Sequence, residues 1–290
     1  MMQNLQRHAL VVEGGGMRGA FTCGVLDAFL QQNFNPFDLY VGVSSGSTNI
    51  ANYLAGQMGR NIQLYLDHSL RPEFIRYGRF LKGGDLLDMQ WMWETVEREL
   101  PLDQQTLFAK NPDFYMVLTH ARSGHAEYLR AGKDTLLDAL RASSSIPVLT
   151  RQAVDIFQEP YFDGGVADAL PIKWAAQQHQ VNNVLVIRTR PQNYFKASSK
   201  SDEFLAKYLL HQNSGFARSL QSRCARYNQA VDFLRQPVVH TQQRFLEICP
   251  PDDKKMAGRL CKDKTKLQYS YDVGLERGAQ AILEWNTQLA

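Results

Sequence analysis

Two segments near the start of the chain carry residue types and spacings suited to acyl transfer. The first is a glycine cluster, Gly14-Gly15-Gly16-Met17-Arg18-Gly19, which follows the apolar run Ala9-Leu10-Val11-Val12. The second is Gly42-Val43-Ser44-Ser45-Gly46, a G-x-S-x-G sequence led in by Leu39-Tyr40-Val41. In such a sequence the serine sits on a tight strand-to-helix turn, and the flanking glycines leave room for a strained backbone. The glycine cluster lies where a strand ends and a helix begins, so its backbone N–H groups can hold an oxyanion.

Other readings of the same residues exist. Gly14, Gly16 and Gly19 also fit the G-x-G-x-x-G dinucleotide fingerprint. That fingerprint asks for an acidic residue about twenty positions on, at the end of the next strand. Here the next strand ends in Gly42-Val43-Ser44, and Asp38 precedes it, so the acid is missing. A third segment, Tyr161-Phe162-Asp163-Gly164-Gly165-Val166, would hold a carboxylate at a bend with little steric cover. Asp163 there could take the Ser44 proton directly. Asp-Gly is equally a common turn dipeptide, so Asp163 alone also reads as a turn cap.

Taken together and in this order, the three motifs resemble those of the patatin-like phospholipases, specifically the bacterial members. A fourth segment, Arg141-Ala142-Ser143-Ser144-Ser145-Ile146-Pro147, is similar to the small-residue stretch that precedes the aspartate motif in that family. The third motif reads D-G-G where many members have D-G-A. The resemblance implies Ser44 as nucleophile and Asp163 as its base and orienting partner, with Gly42 and Gly46 framing the nucleophile and Gly164 and Gly165 completing the aspartate motif. It implies an oxyanion hole in the Gly14 to Gly19 loop, with donors among Gly15, Gly16 and Met17 and with Gly14 retained. The expected fold is a three-layer α/β/α arrangement with a mainly parallel central sheet. The expected activity is hydrolysis of lipid esters by a Ser-Asp dyad, of phospholipase A or lysophospholipase type, with no metal or cofactor. Arg18 has two readings, one near an anionic phosphate or bracing the loop, the other facing solvent.

Two alternatives come from other classes. A Ser-His-Asp hydrolase would place a histidine after the acid, and His179, His211 and His240 qualify by order. A non-catalytic lipid- or nucleotide-binding module would use the same glycines without chemistry at Ser44.

The elements that must position these residues alternate as a helix-covered parallel sheet requires. Ala9 to Val12 reads as a strand, Met17 to Gln31 as a helix, Phe37 to Val43 as a strand and Ser45 to Leu54 as a helix. Strands are expected again over Asp113 to Thr119, Val184 to Arg188 and Phe245 to Cys249, with a hairpin turn at Ser123-Gly124 and a final helix over Leu267 to Leu289. Between Gly59 and Lys110 the alternation breaks, and Phe74, Ile75, Leu87, Met92 and Trp93 belong to a crowded apolar stretch. That insertion reads either as an inserted helical layer or as a lid that meets lipid.

Composition bounds the rest. At 290 residues, with no Pro/Gly/Ser-rich linker, the chain is expected to form a single domain, with a helical insertion around 59–110 and a C-terminal helical extension around 250–290. A hydrophobic content of 44% with 21% charged residues is ordinary for a globular enzyme. A net charge of +3 is too mild to indicate nucleic acid. Lys254 to Lys266 holds six basic residues and one acidic, which reads as a solvated loop or as a patch for anionic headgroups. The four cysteines are widely spaced, so neither a zinc site nor a disulfide framework is indicated. The N-terminus runs at once into a strand, and no apolar run is long enough to span a membrane. The expected partner is a lipid or acyl-ester substrate, met in the cytoplasm or peripherally at a membrane surface.

Overall fold

The computed structural model describes residues 6–147, 149–150, 152–197, 206–207, 214–235 and 243–289. Its strands are β1 (Arg7–Val12), β2 (Leu39–Val43), β3 (Asp113–His120), β4 (Ala126–Arg130), β5 (Val154–Ile156), β6 (Glu159–Asp163), β7 (Val181–Ile187) and β8 (Arg244–Ile248). They form one sheet in the order β5-β6-β3-β2-β1-β7-β8, with β4 paired to β3 off this path. Strands β3, β2, β1, β7 and β8 run parallel, whereas β4 and β6 are antiparallel to β3 and β5 is antiparallel to β6.

The parallel strands carry apolar residues on both faces along most of their length because both faces of the sheet are covered. Period-2 alternation splits each strand between two cores. Leu10 and Val12 pack with Phe21, Val25 and Phe29 of α1 (Gly19–Gln31). Ala9 and Val11 point the other way, into a core with Ile172, Tyr227 and Val231. Helices therefore lie on both sides of a mixed sheet, the three-layer arrangement expected. Most strand boundaries fall within a few residues of those expected; Phe37 lies before β2, and the expected helix from Met17 begins as a 3-10 turn over Gly16–Arg18.

The Lys264–Leu289 helix lies against α1 with almost no space between the backbones. A Cβ on Gly274 would sit 2.2 Å from the Phe21 carbonyl oxygen, and one on Gly24 would sit 2.0 Å from that of Tyr271. Tyr271 and the Gly59 N–H both donate to Asp27 Oδ2, at 3.0 Å each. This joins the C-terminal helix, α1 and the start of the insertion at one carboxylate, and burial raises the Asp27 pKa. No helix among the described residues is long and apolar enough to cross a membrane.

The 59–110 segment is helical, with pieces that include Arg60–Gln63, Tyr77–Leu81, Met89–Glu99 and Gln104–Ala109. Phe74, Ile75, Leu86, Leu87, Met92 and Val96 are buried together, as the inserted-layer reading requires. Tyr77 and Leu81 nonetheless remain 58% and 86% exposed.

The close approach of α1 and the last helix sets a stability test. Gly274→Val forces a side chain into backbone atoms and should lower stability by about 2–3 kcal/mol or more, as overpacking does. Urea unfolding of the purified variant measures it; an unchanged midpoint would show that this contact yields freely.

Candidate active site

Ser44 lies between β2 and α2 (Ser45–Leu54) with φ 54° and ψ −128°. Positive φ is rare for a residue with a Cβ, and such strain persists only where the surroundings enforce it. Here the enforcement is close packing. A Cβ on Gly42 would lie 2.6 Å from Ser47 Cα, and one on Gly46 would lie 2.4 Å from the Val12 carbonyl oxygen. The turn thus needs glycine on both sides of Ser44.

Ser143, at the end of the Leu136–Ser144 helix, fixes the turn from behind. The Ser44 N–H donates to Ser143 Oγ at 2.9 Å, and Ser143 Oγ donates to the Val117 carbonyl at 3.1 Å. A hydroxyl has one proton. Ser47 Oγ, 3.0 Å away, is therefore the donor in its own bond to Ser143.

Strand β3 brings Asp163 to Ser44. Tyr115 pairs with both Val41 of β2 and Arg130 of β4, and Leu118 pairs with both Asp163 of β6 and Glu127 of β4. Strands β2 and β6 therefore follow one another along a single edge of β3. Val43 is the partner of Val117 and Asp163 the partner of Leu118, so the aspartate begins where the strand leading to the serine stops. Gly164 packs against that junction, since a Cβ there would fall 2.2 Å from the Val117 carbonyl oxygen. Both Ser44 and Asp163 are buried, at 7% and 4% exposure. Asp163 Oδ1 accepts from the Gly165 N–H at 2.7 Å, which sets the carboxylate plane. Its main-chain carbonyl accepts from Thr119 Oγ1 at 2.8 Å.

The glycine loop lies against the serine: a Cβ on Gly14 would come 2.7 Å from Ser44 Cβ. Thr189, just past β7, holds the loop through its Oγ1, which donates to the Gly14 carbonyl at 3.0 Å, and its N–H, which donates to Glu13 Oε2 at 2.7 Å. The expected donors differ in their present partners. The Gly15 N–H donates to Ser45 Oγ at 3.0 Å, and the Met17 N–H to the Arg259 carbonyl at 3.1 Å. Among the described residues the Gly16 N–H has no acceptor. Gly16 has φ +57°, and a Cβ there would meet the Arg259 carbonyl oxygen at 2.8 Å. Gly19 is packed beneath Tyr65, whose hydroxyl would lie 2.2 Å from an added Cβ.

Arg18 is partly buried. Its Nε is buried with no hydrogen-bond partner among the described residues. Burial first, and then the charge of Arg190, lower its pKa to about 10.

Two cavities meet at Ser44 and Gly16. One, of about 110 Å³, is apolar and is walled by the insertion through Phe74, Leu87, Met89, Met92 and Trp93. The other, of about 60 Å³, is polar and holds Asp163 with Arg190, Lys196, Arg223 and Arg259. No histidine lines either cavity among the described residues. His179 is exposed, while His211 and His240 lie outside the described residues. Sequence reasoning named Ser143 without a role and counted Arg259 only within the basic run Lys254 to Lys266, and it missed Thr189, Arg190, Lys196 and Arg223. They come from separate segments with no local spacing to signal them.

A strained serine after a parallel strand, beside a glycine loop and a buried carboxylate, defines an α/β protein built like an acyl hydrolase. The chain belongs to the patatin-like phospholipases, a family of lipid acyl hydrolases: the model of that family matches residues 10–176. Residues 213–290 match a second family model, described as a domain of unknown function (DUF6363). The chain is 36% identical over 251 residues to the uncharacterized protein YjjU of Escherichia coli (strain K12), covering 84% of this chain and 69% of that protein. Similar solved structures include VipD from Legionella pneumophila, at TM-score 0.40 and 14% identity over 95% of this chain and 67% of that one. They also include ExoU from Pseudomonas aeruginosa, solved in complex with SpcU, at TM-score 0.34 and 11% identity over 78% of this chain and 53% of that one.

Ser143→Ala would leave the buried Ser44 N–H without its acceptor. The expected loss is about 1–3 kcal/mol of stability, with a fall in kcat because the turn carrying Ser44 loses its anchor. Denaturant unfolding and ester turnover on the same preparation check both effects.

Proposed function

We propose that the chain hydrolyses lipid esters of phospholipase A or lysophospholipase type through a Ser44–Asp163 dyad. The observation that carries this reading is the position of Ser44 at the meeting point of an apolar and a polar cavity, with Asp163 in the polar one. An ester bound across Ser44 would place its acyl chain among Phe74, Leu87 and Met92 and its alcohol beside the carboxylate.

In the acylation step Ser44 Oγ bonds to the acyl carbon while its proton passes to Asp163. The carbon–oxygen bond to the alcohol then breaks, and Asp163 returns the proton to the departing alkoxide. A carboxylate on the alcohol side of the serine suits both transfers. In deacylation water gives its proton to Asp163, attacks the acyl-enzyme and releases the fatty acid, and the proton returns to Ser44. With Oδ1 held by Gly165, Oδ2 is the oxygen assigned to the serine proton.

Gly15 and Gly16 are the oxyanion donors in this reading. The Gly16 N–H has no acceptor among the described residues, and turning the Ser45 side chain about its Cα–Cβ bond would free the Gly15 N–H. The Met17 N–H is held by a main-chain carbonyl, which cannot turn away as a hydroxyl does. The whole chain acts as one catalytic unit, because the C-terminal segment supplies β8 to the sheet and a helix against α1. Exposed Tyr77 and Leu81 on the insertion would meet a lipid surface.

Single variants separate the dyad from a triad. Ser44→Ala should abolish hydrolysis of a soluble aryl ester and labelling by a fluorophosphonate. Asp163→Asn should lower kcat by several powers of ten, while His179→Gln, His211→Gln and His240→Gln stay within a few-fold of wild type. Collapse of activity in one folded histidine variant would replace the dyad with a triad.

A further inference from the structure

The apolar cavity that reaches Ser44, of about 110 Å³, shares a wall with another of about 260 Å³: Thr48, Trp93 and Val96 line both. Three helices contribute to the two cavities in matching order. On α2, Ser45 and Thr48 line the first, and Thr48 and Ala51 the second. On the Leu136–Ser144 helix, Ser144 lines the first, and Leu140 and Leu137 the second. On Met89–Glu99, Met92 lines the first and Glu97 the second, with Trp93 and Val96 between them in both. Spacings of three and four residues keep each set on one helix face. The cavities are therefore successive stretches of one trough, which leads from Ser44 toward the exposed Glu97 and Pro101.

Trp93 is the bulk of the partition between them. The side chain is buried, and its Nε1 has no hydrogen-bond partner among the described residues. A buried indole N–H ordinarily finds an acceptor. Without one, packing alone sets the position of the ring, and the partition is only as complete as that ring makes it. Past the partition, Leu137, Leu140 and Ala51 continue the apolar lining. The Arg60 guanidinium at this second cavity donates to the carbonyls of Leu100 and Pro101, at 2.6 Å and 3.3 Å, which turns its polar end onto the backbone.

We propose that Trp93 sets the length of acyl chain that the site buries, by closing the first cavity against the second. The proposal rests on the reading of Ser44 as nucleophile, because the chain is measured from the acyl carbon held there. A methylene is about the size of a water, whose share of liquid volume is about 30 Å³. The first cavity then holds on the order of four methylenes and the second on the order of eight more. Each methylene buried in the transition state raises kcat/KM about fourfold. That gain ends where the chain meets the indole, at an acyl group of about six carbons.

The test is the profile of kcat/KM for p-nitrophenyl esters from acetate to decanoate, each below its solubility limit. Wild type should climb about fourfold per methylene and level off near hexanoate. Trp93→Leu keeps an apolar side chain but opens the partition, and should raise the ratio of decanoate to hexanoate about tenfold or more over wild type. Val96→Ala, a smaller excision from the same wall, should move the break outward by about one carbon. Leu137→Trp added to Trp93→Leu refills the second cavity and should bring the break back. Affinities of the 1-alkanols from butanol to decanol, measured by calorimetry on the same proteins, should break at corresponding lengths without turnover.

A wild-type profile that climbs unbroken to decanoate overturns the partition. A break that Trp93→Leu leaves in place overturns the assignment to Trp93; if that variant does not fold, Val96→Ala decides the same question for the wall. A break that moves in Trp93→Leu and stays extended once Leu137→Trp is added overturns the second cavity as the continuation of the first. If no ester is cleaved while alkanol affinity still breaks in wild type and extends in Trp93→Leu, the partition stands and the hydrolytic role of Ser44 falls.

Discussion

The site depends on one edge of β3 being shared by two strands in succession. Strand β2 occupies it as far as Val117, and β6 takes over at Leu118. Because β2 is parallel to β3 and β6 antiparallel, the C-terminal ends of β2 and β6 converge on the same point from opposite directions. One end delivers Ser44 and the other Asp163. Nearly every unusual local feature nearby serves that convergence. Ser44 takes a positive φ because the chain must leave the sheet there. Gly42, Gly46 and Gly164 lack side chains because backbone from neighbouring strands and turns fills the space where a Cβ would stand. Ser143 then satisfies the N–H that the sharp turn leaves without a sheet partner.

What was legible in the sequence is what short-range spacing controls. The alternation of apolar runs and turns announced β1, β2, β3 and the layers around them, because burial of both sheet faces favours consecutive apolar residues along a strand. The motifs around Gly14, Ser44 and Asp163 were legible because each is a backbone shape that glycine and small residues alone permit. The short strands β5 and β6 were not legible in that way. They are three and five residues long and pair antiparallel at the margin of the sheet, where no long apolar pattern is required. The insertion gave an ambiguous signal for a physical reason: Phe74, Leu87 and Met92 both pack among themselves and line a cavity reaching Ser44. One apolar surface serves both purposes, and residue type cannot separate them.

Long-range contributions left no trace in spacing. Thr189 steadies the glycine loop from 175 positions away, and Arg223 reaches Gly165 across 58. The donors expected from the loop illustrate the same limit. The resemblance implied donors among Gly15, Gly16 and Met17 without ranking them, but a carbonyl from Arg259, far along the chain, occupies the third. Which amide stays open is decided by tertiary contact and not by the loop itself.

The C-terminal segment matters to the site through the same kind of contact. The segment places β8 beside β7, which carries the chain to Thr189, and lays a long helix on α1, which follows the glycine loop. Gly24 and Gly274 let those two helices approach until backbone meets backbone, so a displacement of the last helix is transmitted to α1 with little side-chain cushioning. Arg259 and Arg223 then reach past the helices to the two motifs themselves, one by its carbonyl at Met17 and the other by its guanidinium at Gly165. The glycine loop and the aspartate turn are thus each braced by a residue from the segment that matches the domain of unknown function. A strained turn gains from such bracing, because strain at Ser44 is maintained only while the surrounding backbone cannot relax.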